Sequence, residues 1–134
     1  MACIRQDISI EASPEHVWEA VRDVGAVHQR LPGFVVSTRL DGDARIVTFA
    51  NGAVARELIV DLDDKARRLA YSVVESPLQM THHHATIQVL PAGANQSRMV
   101  WIADVWPNEA ADRVGPMMEQ GSLVMKQTLE LQKV

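Results

Sequence analysis

A regular series of turn signals across residues 34–105 constrains this chain more than any other feature. Alternating apolar and polar runs are separated by Asp41-Gly42, Asn51-Gly52, residues 63–66, Ser76-Pro77-Leu78 and residues 92–95. Asn-Gly and Asp-Gly pairs between alternating runs are the strongest short hairpin signals. The stretch therefore predicts six consecutive antiparallel strands.

The segments on either side of this stretch predict one more strand and the helices. Residues 4–10 alternate and predict a first strand. Ser13-Pro14 supplies an N-cap and a first-position proline, which predicts a short helix ending at Gly25. A second short helix ends before Pro32. After Pro107 the apolar residues recur every three or four positions, which predicts a long C-terminal helix.

The totals agree with one small domain, residues 1–134, and exclude several classes of function. The composition is 47% hydrophobic and 22% charged, as in ordinary globular proteins. The net charge of −4 argues against a nucleic-acid partner, and the single cysteine excludes an internal disulfide. With no signal peptide and no apolar run long enough to span a bilayer, we expect a cytoplasmic protein without membrane insertion. A monomer and a homodimer are both compatible with these features.

Centring each turn on its signal residues predicts how the strands pair. The result is one row across the sheet: Ser37, Ile46, Glu57, Tyr71, His83 and Asp104. Directly opposed residues share a face, and the apolar residues beside Tyr71 and His83 place this row inside. The fourth strand disagrees, because Leu58, Val60 and Leu62 fall on the face that Glu57 does not occupy. A β-bulge there, or cover from the short helices, would reconcile it. A slip of one residue would reverse the face.

This order of elements resembles the helix-grip superfamily, in its START-like, polyketide cyclase/dehydratase-like branch. The resemblance is carried by ISIEASPEHVWEAVRD and RELIVDLDDKARRLAYSVVES, and it covers nearly the whole chain. It implies an α+β helix-grip fold, in which a seven-stranded curved antiparallel sheet surrounds a long C-terminal helix, with two short helices after strand 1. It also implies an internal cavity for a small molecule.

Two relatives within this superfamily bear on single positions. In lachrymatory factor synthase and the abscisic acid receptors, cavity positions fall by spacing on Glu57, Tyr71 and His83 of this sequence. The cavity arginine of the synthase has two possible counterparts, Arg39 and Arg45. The superfamily includes carriers, receptors and enzymes, so the resemblance implies a cavity without deciding an activity.

Glu57, His83 and Tyr71 are the candidate catalytic residues. A carboxylate in an apolar cavity suits proton transfer, and the alternative is an ion-paired glutamate, with Arg39 as a partner. His83 could act as an acid or base near neutrality or only bond a ligand from the wall. Tyr71 could donate to a ligand carbonyl or be a core residue bonded to a neighbour.

We predict no metal and no cofactor. Adjacent histidines in residues 82–84 point to opposite faces of a strand, so only His82 and His84 could share an ion, and no acid or cysteine lies at metal spacing nearby. No phosphate-binding or paired-cysteine motif occurs. The predicted function is binding of a hydrophobic small molecule, such as a polyketide, lipid or isoprenoid. The alternative is a cofactor-independent cyclase/dehydratase or isomerase with Glu57 as acid or base. The predicted cavity residues are Ser37, Arg39, Ile46, Glu57, Tyr71, Val73, His83, Ala85, Asp104, Met117, Met118, Gly121 and Met125.

Overall fold

A computed structural model describes residues 1–132 of the chain, so the predicted domain of residues 1–134 ends with two residues outside the described part. The elements are β1 (Ala2–Ile10), α1 (Pro14–Arg22), α2 (Val27–Arg30), β2 (Val35–Asp41), β3 (Ala44–Phe49), β4 (Val54–Asp63), β5 (Arg68–Glu75), β6 (His82–Gly93), β7 (Gln96–Trp106) and α3 (Ala111–Gln132). A single 3-10 turn, Asn108–Ala110, leads into α3. The predicted α+β order is confirmed.

All seven strands form one antiparallel sheet in the order β1-β7-β6-β5-β4-β3-β2. Consecutive strands from β2 to β7 are neighbours, as expected for a series of hairpins, and β1 closes the row beside β7. Gly42 and Gly52 have positive φ angles of 61° and 89° in two of the turns. Glycine adopts these conformations without a Cβ clash, which explains why Asp-Gly and Asn-Gly mark these turns.

Helix α1 begins as its sequence predicts and packs one apolar face on the core. The Ser13 hydroxyl accepts a hydrogen bond from the His16 N–H at 3.1 Å, which satisfies one of the free donors at the helix start. At its other end the helix is tied to the β4–β5 turn. Trp18 Nε1 and Arg22 Nε donate to Asp64 Oδ1 at 2.9 and 2.8 Å. The Arg22 and Trp18 donors lower the pKa of Asp64.

Helix α3 packs against the inner face of the sheet. Its buried residues recur at helical spacing and include Val114, Met118, Met125 and Leu129. Gly121 lets the helix approach β7 closely, because a Cβ at this position would lie 3.3 Å from Trp101 Cζ3. Within residues 1–132 no helix is both long and apolar enough to cross a membrane.

The predicted strand row is wrong in each of its pairings. In the sheet, Arg39 pairs with Ile46, Arg45 with Glu57, Glu57 with Val73, Tyr71 with Ala85, and His83 with Val105. The errors are one or two residues in each turn, since the turns are not centred on the residues that signal them. The bulge predicted in the fourth strand is present, as a register shift between Ile59 and Asp61.

Candidate functional site

A cavity of about 370 Å³ lies between the inner face of the sheet and the helices α2 and α3. Strands β2 to β7 contribute to its wall, whereas β1 and α1 do not. Most of the lining side chains are apolar and include Val27, Leu31, Phe34, Val47, Phe49 and Met118. This volume is near the lower end of the roughly 300–1,000 Å³ usual for small-molecule pockets.

The cavity has an open end and a buried end. Its exposed lining residues come from three different connections between secondary-structure elements and mark the mouth: Gly33, Ala50, Asn51 and Pro77. The buried end holds a group of polar side chains that we call the polar cluster: Arg30, Arg45, Glu57, Tyr71 and His83. The charged side chains of the cavity wall therefore lie at the end away from the mouth.

Arg45 and Glu57 form a buried ion pair in the polar cluster. They are direct cross-strand partners on β3 and β4, so their side chains project from the same face of the sheet. Arg45 Nε donates to Glu57 Oε1 at 2.8 Å, with 3% and 10% of the two side chains exposed. Glu57 is therefore the ion-paired glutamate of the alternative interpretation. Its partner is Arg45, whereas Arg39 is exposed on the opposite face.

Tyr71 lies beside this ion pair, and its hydroxyl accepts one hydrogen bond but donates none within residues 1–132. The Arg45 guanidinium carbon is 5.0 Å from the Tyr71 ring centre. The hydroxyl oxygen accepts a hydrogen bond from Trp101 Nε1 at 3.0 Å, so its own hydrogen can still be donated. Burial and the Glu57 charge raise the pKa of Tyr71, which keeps the phenol protonated at neutral pH.

His83 joins two strands where their ladder has ended. The β5–β6 pairing stops at Tyr71 and Ala85. Beyond this point the Val73 N–H donates to His83 Nδ1 at 3.0 Å, and the Ser72 hydroxyl donates to the His83 carbonyl. Because Nδ1 accepts, the proton of the neutral ring is on Nε2, which makes no hydrogen bond within residues 1–132.

Burial, His84 and His82 lower the pKa of His83 to about 4. The ring is therefore neutral at neutral pH. It does not titrate near neutrality, although an ordinary histidine would. Since His83 lines the cavity, its Nε2–H is a donor available to a ligand.

Arg30 is the polar-cluster residue that the sequence did not reveal. It ends the short helix α2 and is only 3% exposed. Its Nη1 donates to the carbonyl oxygens of Ala20 and Asp23 at 2.9 and 3.3 Å. An arginine on a four-residue helix gives no periodic signal, so only the three-dimensional structure places it beside Arg45.

Four predicted cavity residues lie on the outer face of the sheet: Ser37, Arg39, Ile46 and Asp104. Successive residues of a strand alternate between faces. The cavity-lining Arg45 and Val47 therefore put Ile46 outside, together with its partner Arg39. Asp104 pairs with Cys3 and His84, between the fully buried Ala103 and Val105.

The other predicted positions lie on the inner side of the sheet. Val73, Met117, Met118 and Met125 line the cavity, as do Glu57, Tyr71 and His83. Ala85 and Gly121 are buried without lining it. The part of the chain that the structure describes contains no group of three or more His, Cys, Asp or Glu side chains placed to hold a metal ion.

Comparison with proteins of known structure finds this fold in several bacterial and plant proteins. XoxI from Bacillus cereus is 26% identical, with a TM-score of 0.89 and all of both chains covered. Norcoclaurine synthase from Thalictrum flavum, in complex with dopamine and hydroxybenzaldehyde, is 19% identical, with a TM-score of 0.71 over 99% of this chain and 88% of the synthase chain. A START superfamily protein from Mycobacterium smegmatis is 12% identical, with a TM-score of 0.74 over 97% of this chain and 95% of the other.

No curated protein matches the sequence significantly. A family model does match, over residues 1–130, and its family is described as polyketide cyclase/dehydrase and lipid transport. The seven-stranded antiparallel sheet, the long C-terminal helix and the START-like neighbours confirm the helix-grip fold. Family and fold together suggest hydrophobic ligand binding or a polyketide cyclase-like function. The chain belongs to the polyketide cyclase/dehydrase and lipid transport family.

Proposed function

We propose that this protein binds a hydrophobic small molecule in the cavity, with the apolar part of the ligand near the mouth and a polar group at the polar cluster. The observation that carries the proposal is the cavity itself, about 370 Å³ of mostly apolar space with polar side chains concentrated at its buried end. Apolar walls with a few convergent polar groups are typical of small-molecule sites.

The size of the cavity limits the class of ligand. It accommodates a small ring system or a short acyl chain, but not both chains of a phospholipid. Among the ligands expected from the sequence, aromatic polyketides and short isoprenoids therefore fit better than membrane lipids. The apolar walls provide most of the affinity, at about 25 cal/mol for each Å² of apolar surface removed from water.

Binding of the neutral fluorescent probe phenylnaphthylamine tests this proposal. Its emission rises when it enters an apolar site, and we expect one probe molecule per chain. Ala55 lines the cavity on β4, so Ala55→Phe fills the space that the probe needs and should abolish the signal. The matched control is Ala94→Phe in the exposed β6–β7 turn, which should bind as the wild type does.

Native mass spectrometry of the purified protein, followed by extraction, would identify a ligand that is retained. A wild-type protein that binds no probe, or an Ala55→Phe variant that binds it unchanged, would contradict a ligand-binding cavity.

A cofactor-independent enzyme is the second candidate function, and one observation favours it. The polar cluster combines a carboxylate, Glu57, with two neutral donors, the Tyr71 hydroxyl and His83 Nε2–H. Such a set can move a proton on a carbonyl compound. Glu57 takes a proton from the carbon beside the carbonyl, the donors stabilise the charge on the carbonyl oxygen, and Glu57 returns the proton to another carbon.

The two candidates differ in what Glu57→Gln changes. For an enzyme, the variant should retain affinity for a carbonyl ligand identified by extraction but lose exchange of that ligand's acidic C–H hydrogen with deuterated water. A binding protein should show no such exchange even in the wild type. NMR of the ligand measures the exchange directly, and Arg39→Gln on the outer face is the control.

A further inference from the structure

The polar cluster contains more positive than negative charge. Arg30 and Arg45 are 3% and 2% exposed, whereas Glu57 is the only carboxylate among the buried residues at positions 1–132. Tyr71 and His83 are neutral at neutral pH. The ion pair with Glu57 accounts for Arg45, so Arg30 has no carboxylate partner at hydrogen-bond distance within residues 1–132.

Two of the three guanidinium nitrogens of Arg30 donate no hydrogen bond within residues 1–132. Nη1 donates to two backbone carbonyls, Nε is enclosed without a partner, and Nη2 makes no hydrogen bond within residues 1–132. Besides Glu57, the carboxylate that acts on the Arg30 charge is that of Asp23, which is exposed and so well screened by water. Burying a cation without a paired anion is costly. Burial and the neighbouring Arg45 accordingly lower the pKa of Arg30 to about 9, which still leaves it charged at neutral pH.

We infer that the ligand is a monoanion, with one carboxylate or one ionised enol or phenol, whose charged oxygen lies between Arg30 and Arg45 at the buried end of the cavity. This inference rests on the proposed function and specifies its ligand. The anion supplies the negative charge that the polar cluster lacks.

The two arginines are suited to this role by their position. Both line the cavity, and Arg45 Nη2 makes no hydrogen bond within residues 1–132. Guanidinium groups present planar sets of donors that match carboxylate oxygens, and charge-assisted bonds of this kind are about twice as strong as neutral ones. The Tyr71 hydroxyl and His83 Nε2–H can add neutral hydrogen bonds to the same anion.

The competing explanation is that Arg30 only connects α2 to the end of α1 through the Ala20 and Asp23 carbonyls. In that case the cluster charge would not discriminate between ligands. The two explanations differ in how the cavity treats molecules of equal shape and different charge, which makes them distinguishable by binding measurements.

The test compares naphthoate with naphthamide, which share one ring system and differ mainly in charge. Each is titrated against protein loaded with the neutral probe phenylnaphthylamine. If the anion is recognised, the affinity for naphthoate obtained from probe displacement should be at least about ten-fold higher than the affinity for naphthamide. In Arg30→Gln this ratio should fall to within about two-fold of unity, with both displacements referred to the probe affinity of that variant.

Two further variants keep the inference testable if Arg30→Gln folds poorly. Glu57→Gln removes the negative charge without touching Arg30, so the naphthoate preference should increase. Arg39→Gln removes the same charge as Arg30→Gln from the outer face and should leave the preference unchanged.

Equal binding of naphthoate and naphthamide by the wild type would overturn this inference while the proposed function stands. A protein that binds neither these compounds nor the probe would contradict the proposed function itself.

Discussion

The two halves of the sheet use helix α3 in opposite ways. Beside β1 and the start of β7, the last turns of α3 and helix α1 pack on the sheet, and Ile10, Val17, Met99 and Leu129 are fully buried. Beside β3, β4 and β5, the first turns of α3 and helix α2 leave the cavity open. The same sheet thus has a filled half and a cavity half.

The two halves contribute differently to the free energy of folding. The filled half contains close-packed apolar side chains, which favour folding in proportion to their buried area. The cavity half contains empty space and the buried charges of Arg30, Arg45 and Glu57, all of which are unfavourable unless a ligand occupies the site. We expect mutations in the filled half to affect stability, and mutations in the cavity half to affect binding as well.

Two truncations in the same helix should show the contrast most strongly. Leu129→Ala in the filled half creates a new cavity and should lower the free energy of unfolding by about 4 kcal/mol. Met118→Ala enlarges a cavity that already exists, so it should cost only about 2 kcal/mol. Urea denaturation measures both values. Equal costs, or a larger cost for Met118→Ala, would contradict the division of the sheet into two halves.

Breaking the ion pair should give the next largest effect. Arg45→Met leaves the Glu57 carboxylate buried without its partner and should destabilise the protein by about 3 kcal/mol. The double variant Arg45→Met/Glu57→Met removes both charges and should recover most of that loss. A double-mutant cycle by urea denaturation measures this coupling. Additive losses would show that the two residues do not depend on each other.

Protonation of His83 should make stability depend on pH. The pKa of His83 is about 4 in the folded protein and 6.5 as an ordinary histidine, so the unfolded chain binds the proton more readily. Stability from this residue is complete above pH 6.5 and is lost as the pH falls towards about 4. Between about pH 7 and pH 5 the loss should be about 2 kcal/mol.

The comparison that isolates this effect is His83→Gln, which keeps an acceptor for the Val73 N–H but does not titrate. Its unfolding free energy should be nearly constant over that pH range. The exposed-site control His82→Gln should retain most of the wild-type slope, because burial is the largest cause of the lowered His83 pKa and His82 is a smaller one. A wild-type slope in His83→Gln would assign the pH dependence to other groups.

The smallest effect should come from the start of α1. Ser13→Ala removes the N-cap bond to His16 and should cost about 1 kcal/mol of stability. Because α1 does not line the cavity, phenylnaphthylamine affinity should stay within about two-fold of the wild type. A thermal melt and a probe titration on the same sample measure both quantities, and a marked loss of affinity would contradict the independence of the two halves.

The sequence was sufficient to predict the fold because its signals are local. Hairpin turns, an N-cap and a helical repeat each need only a few neighbouring residues, and together they give the order of all seven strands. The strand register was not predictable in the same way, since it depends on how many residues each turn contains. Gly42 and its neighbour form the first hairpin turn, one residue later than the Asp41-Gly42 signal suggests.

The parity of these register errors decides which site residues were found. An error of two residues keeps a side chain on its face, and an error of one reverses it. Glu57, Tyr71 and His83 were linked by errors of two and remain together inside. Ile46 and Asp104 were each linked to them by an error of one and lie outside.

The burial of Arg30 could not be predicted from the sequence for a different reason. Arginine is usually exposed, and the four-residue helix α2 has no periodicity that could indicate burial. Its environment is produced by the carbonyls at the end of α1 and by Arg45 on β3, two segments outside the helix to which Arg30 belongs.

An amide NMR titration of the labelled protein with naphthoate tests the central claim most directly. We expect the changes in chemical shift to be confined to the cavity half, including the amides of Gly33, Val47 and Val73, with Ile10 and Val17 in the filled half unchanged. Changes confined to the exposed apolar residues of the outer face, such as Leu58, or to the filled half would contradict a ligand site in the cavity.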